Sequence, residues 1–77
     1  MIIKIYIDGK LALKTDNITQ WVNHMNGFCG ACEMFGGHCK PIKAHDKDNN
    51  EYKGYRTYWP YPDNKTSDYL YRIIMKG

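Results

Sequence analysis

The sequence is poor in the parts from which most enzymes are built. Serine occurs once, at Ser67, and the chain has no G-x-S-x-G, no H-E-x-x-H and no Gly-rich phosphate loop. Asp46-Lys47-Asp48-Asn49-Asn50 opens like a calcium loop, but Glu51 stands where that loop needs glycine and Thr57 where it needs glutamate. It reads as a polar hairpin turn. Long apolar runs are also missing: Lys4 already interrupts the first one after Met1–Ile3. The expectation is therefore no export signal, no membrane span and a cytoplasmic protein. Arginine is scarce, with only Arg56 and Arg72 beside nine lysines, so bidentate recognition of phosphate or guanine would rest on those two. Cysteine numbers three, an odd count that does not suit a secreted disulfide scaffold.

What is there fits one small globular domain. The chain has 77 residues, 43% hydrophobic, 25% charged and 14% aromatic. That composition excludes a disordered tail, a collagen-like chain and a coiled coil. A core of this size contributes roughly 3–5 kcal/mol of net stability, so a clip would help it. The net charge is +3 and the pI about 8.8, mildly basic and below the range typical of nucleic-acid domains. Ile, Lys, Asn and Tyr make up 30 of the 77 residues, which fits an AT-rich coding sequence such as those of low-GC bacteria and their phages.

The predicted fold class is α+β, in the order β-β-α-β-β-β, with an antiparallel or mixed sheet and one helix packed on one face. Ile2–Ile7 alternates as a strand, and Asp8-Gly9 signals a hairpin. A three-residue loop with Gly9 in a bulge would set Ile5 opposite Leu11 and Ile3 opposite Leu13, gathering four large apolar side chains on one face. Asn17 is the expected N-cap of a helix over 18–26, with Gln20 completing a capping box and Gly27 ending it. Ile18, Trp21, Val22 and Met25 form its apolar stripe. Residues 28–41 are then expected to be an irregular Cys/Gly-rich loop. Strands are predicted over 42–45, 51–59 and 69–75, with a loop over 60–67.

Two clusters are candidates for function. The first is Cys29-x-x-Cys32 followed by His38-Cys39. A C-x-x-C turn can bite a tetrahedral zinc ion, so Cys29, Cys32, Cys39 and His38 are the expected ligands of one structural zinc, with His24 and His45 rivals for the fourth place. The same thiols also suit a reduced, partly buried apolar role, or a disulfide from Cys39 to Cys29 or Cys32. The second cluster is the aromatic and basic C-terminal third. Tyr52, Arg56 and Tyr58 alternate onto one sheet face, and Tyr61 and Arg72 belong to the same segment. One helix can cover only one face of the sheet, so the other is left for binding. Tyr and Arg dominate binding hot spots, and the expected partner is a protein. The expected function is thus a non-enzymatic inhibitor or adaptor of the kind found among small phage and mobile-element accessory proteins. The alternative is a zinc-stabilised binder of single-stranded nucleic acid.

Overall fold

Asp8 and Gly9 both take positive φ, 49° and 81°, the geometry of a tight two-residue turn between twisted strands. They join β1 (Ile2–Ile7) to β2 (Lys10–Thr15) in the computed structural model, which describes residues 1–45, 48–60 and 65–74. The register differs from the sequence expectation. Ile7 faces Lys10 and Tyr6 faces Leu11, then a bulge at Ala12 shifts the ladder so that Ile5 faces Leu13 and Ile3 faces Thr15. The bulge, not the turn, keeps Ile5 and Leu13 on one face. Leu11 falls on the other face and is exposed.

Asn17 caps α1 (Ile18–Met34) by accepting from the backbone N–H groups of Thr19 and Gln20. The capping box does not close. Gln20 instead accepts a hydrogen bond from Thr15 Oγ1 at 2.6 Å, and Thr15 Oγ1 accepts from the Asn17 N–H. The helix does not stop at Gly27 either, and the expected Cys/Gly loop is its second half. Each mid-helix glycine costs about 1 kcal/mol relative to alanine. The apolar stripe continues regardless through Trp21, Met25, Phe28 and Cys32, spaced by four, three and four residues, and Met25 and Cys32 are buried. The stop lies further on. Gly36 takes φ 82°, its N–H bonds to the Glu33 carbonyl, and the Gly37 N–H bonds to the Cys32 carbonyl. This pair of bonds is a Schellman cap.

The remaining strands are β3 (His38–His45), β4 (Glu51–Tyr58) and β5 (Thr66–Ile74). β3 starts earlier than predicted and contains Pro41. The missing N–H of Pro41 is tolerated because β3 is an edge strand. β5 also starts earlier, taking in Thr66 and Ser67 from the expected loop, while the predicted last residue, Met75, lies outside the described residues. All pairings are antiparallel, in the order β2-β1-β5-β4-β3. β5, last in sequence, is inserted between the two hairpins and joins them.

The helix lies on one face only. Ile5, Met25 and Tyr69 form the core, with Ile7, Leu13, Trp21, Phe28, Tyr55 and Tyr71 packed around them. Phe28 packs at a tilt against Tyr69 and Trp21 against Tyr71, at centroid distances of 4.7 and 5.2 Å. Chain order, helix and sheet make this a single α+β domain, as the sequence predicts.

Candidate functional site

Strand alternation sends every second residue to the sheet face opposite the helix, and no described element covers that face. The antiparallel registers align its side chains in rows that cross the strands. One row runs Lys14, Lys4, Arg72: Lys4 is paired directly with Lys14 on one side and with Arg72 on the other. The guanidinium of Arg72 lies over the ring of Tyr52 on β4, 5.5 Å from its centroid. The next row is largely apolar, running Leu11, Tyr6, Leu70, Gly54, Ile42. Beyond it stand Asp68, Arg56 and Lys40, then Thr66, Tyr58 and His38.

Several of these groups are held in place. Arg56 donates from Nε and Nη2 to the two carboxylate oxygens of Asp68, at 2.6 and 2.9 Å. This bidentate hydrogen bond holds the Asp68 carboxyl below its ordinary range and strengthens the proton affinity of Arg56. His38 stacks on Tyr58 at 4.7 Å with an interplanar angle of 18°, and the Lys40 ammonium lies 5.8 Å from the same ring.

Four of the five sequence-predicted binding residues, Tyr52, Arg56, Tyr58 and Arg72, share this helix-free face. The fifth, Tyr61, lies outside the described residues. Sequence reasoning missed Lys4, Tyr6, Lys14 and Lys40. The alternation of Ile2–Ile7 already sets Lys4 and Tyr6 apart from Ile3 and Ile5. Which strand lies beside them depends on the insertion of β5, which no local pattern announces.

The cysteine cluster divides. Cys32 is fully buried, and its thiol donates to the carbonyls of His38 at 3.7 Å and Tyr58 at 3.5 Å. Cys29, one turn earlier on α1, lines the same groove as Cys39 on β3. His38 neighbours Cys39 in an extended strand, so it points to the opposite face, against Tyr58. His24 packs at a tilt against Phe28 at 4.7 Å, and His45 is exposed at the far end of β3. Among the described residues, no group of three or more His, Cys, Asp or Glu is arranged to hold a metal ion.

Burial pushes the Cys39 thiol up to about 12 from its ordinary 9.0, helped by the neighbouring Cys29 thiol. Burial likewise raises Tyr69 and Tyr71 above the ordinary tyrosine value of 10.0. All three are acids that the folded protein keeps protonated where the unfolded chain would ionise. The stability they confer is therefore complete below about pH 9 and is lost as pH rises from there toward 12. Melting temperature is expected to fall steadily from pH 9 upward, less steeply in Cys39→Ala. A profile that stays flat to pH 11 would contradict the burial of these groups.

No described helix is long and apolar enough to cross a membrane. No protein-family model, curated protein or solved structure matches the chain.

Proposed function

We propose that this protein is a small non-enzymatic binding module, an inhibitor or adaptor, that docks an acidic protein surface against its helix-free sheet face. The observation that carries this reading is the row Lys14, Lys4, Arg72. Like charges directly opposite one another on neighbouring strands oppose folding, by up to about 1 kcal/mol per pair. No acidic residue stands in that row to relieve them. A carboxylate-rich partner would convert this repulsion into attraction. The adjoining Leu11, Tyr6 and Leu70 supply apolar contact, and Leu11 is 53% exposed. Tyr58 and Tyr52 serve as anchors that lose little side-chain freedom on binding, because His38, Lys40 and Arg72 already hold their rings.

The same contacts weigh against single-stranded nucleic acid. Base stacking needs aromatic π-faces open to the ligand, and these rings are in part occupied by the protein's own cations and imidazole. Arg56, one of only two arginines, is committed to Asp68.

A photo-crosslinking phenylalanine analogue in place of Tyr6, in the middle of the face, tests the reading. In cell extract it is expected to form a protein adduct that disappears when Arg72→Glu is added. The same analogue at Asn23, on the exposed side of α1, is expected to give none. Equal adducts at both positions, or adducts to nucleic acid, would sink the proposal. In the nucleic-acid case, binding at about 50 mM salt should also weaken with salt at a log–log slope of about −0.7 per neutralised phosphate.

A further inference from the structure

Cys29 and Cys39 lie on the helix side of the sheet and take no part in the proposed docking. Between them α1 ends, the Schellman turn at Gly36 and Gly37 reverses the chain, and β3 begins. That reversal lays the second residue of an edge strand against the last turns of the helix. Cys29 and Cys39 both line a groove of about 430 Å³ together with Trp21, Met25, Glu33 and Tyr55. Both are half-buried, so a small reagent entering the groove can reach them. The third cysteine is out of play, since Cys32 is fully buried with its thiol turned to the His38 and Tyr58 carbonyls.

We infer that Cys29 and Cys39 form a reversible disulfide site that clamps edge strand β3 to the end of α1 when the protein meets a disulfide oxidant such as oxidised glutathione. Cys29, as its thiolate, attacks a sulfur of oxidised glutathione, because burial keeps Cys39 protonated. The glutathione S–S bond breaks, and the first glutathione leaves as a thiolate that takes up a proton. Cys39 attacks the Cys29 sulfur of the mixed disulfide, its proton passing to the departing sulfur, and expels the second glutathione as a thiol. Two protein thiols lose two electrons and two protons, and one glutathione disulfide becomes two glutathione thiols. The bond closes a loop of eleven residues, Cys29 to Cys39. It constrains the unfolded chain, so the oxidised form is expected to melt roughly 10–20 °C above the reduced form.

The wild-type protein is incubated with oxidised glutathione, denatured, alkylated and fragmented in a mass spectrometer. The expected product has lost two hydrogens, carries one alkyl group, located on Cys32, and reverts with dithiothreitol. Alkylation at Cys29 or Cys39, alkylation at all three cysteines, or a glutathione adduct that persists would overturn the assignment. Calorimetry on the same sample reads the clamp directly. An oxidised form that melts no higher than the reduced one would show that the bond does not hold β3 to the helix.

Discussion

Gly54→Ala is expected to lower the melting temperature by roughly 10–20 °C, corresponding to about 2–3 kcal/mol of overpacking in a domain this small. Gly54 is buried in β4 and paired with Leu70 of β5. A Cβ there would overlap the Tyr69 carbonyl oxygen and press on Leu70 Cα at 2.9 Å. These are backbone atoms of the neighbouring strand, so no rotamer change relieves the overlap, and β4 must move away from β5. That ladder joins the two hairpins, and a domain with about 3–5 kcal/mol in hand has little margin for it. Gly27→Ala is the control. It lies within α1 with no atom in 4 Å of its would-be Cβ, and the same substitution there should stabilise by about 1 kcal/mol. Thermal melts of the two variants should move in opposite directions. A Gly54→Ala protein that melts like wild type would mean that β4 and β5 are not this close.

Lys4→Glu is expected to raise stability and abolish partner binding together. Glutamate at this position stands directly between Lys14 and Arg72 and turns two repulsive cross-strand pairs into two attractive ones. At about 0.2–1 kcal/mol per pair, the gain is about 1 kcal/mol, or roughly 4–8 °C in melting temperature. The same change puts a negative charge in the middle of the surface meant for an acidic partner. Loss of a hot-spot contact costs at least about 2 kcal/mol, so binding should weaken about 30-fold or more. Calorimetry and titration against the crosslinked partner read the two effects separately. A variant that is less stable, or one that binds as tightly as before, would remove the cationic row from the proposed function. A stabilising substitution that costs function is the usual sign of a residue kept for binding rather than for folding.

The two faces of the sheet were legible in the sequence to different degrees. Ile3 and Ile5 declare the core face by simple alternation, and both are fully buried. Tyr52, Arg56 and Tyr58 declare the other face in the same way, because the strand period of two is local. Asn17 as a cap and Asp8-Gly9 as a turn are also local events, set by side-chain hydrogen bonding and by tolerance of positive φ. The segment 28–34 is helix rather than the expected loop for the opposite reason. Gly27 and Gly30 are locally poor helix residues, but the packing of Phe28 against Tyr69 and the burial of Cys32 outweigh them. The Schellman stop at Gly36-Gly37 is also a better exit than Gly27.

By itself, then, the sequence determined the element order, the sides of each strand and the aromatic, basic character of the C-terminal third. Those features depend on near neighbours and on the fixed periods of strand and helix. Only the tertiary structure decided that β5 lies between β1 and β4. That insertion sets Arg72 beside Lys4, which is itself paired with Lys14, and over the ring of Tyr52, and it joins two distant segments into one cationic row. It also decided that the helix runs on to Met34, so that Cys29 meets Cys39 while His38 faces away. Both outcomes depend on contacts between residues far apart in the chain, whose energy is realised only when the whole sheet and its helix have packed.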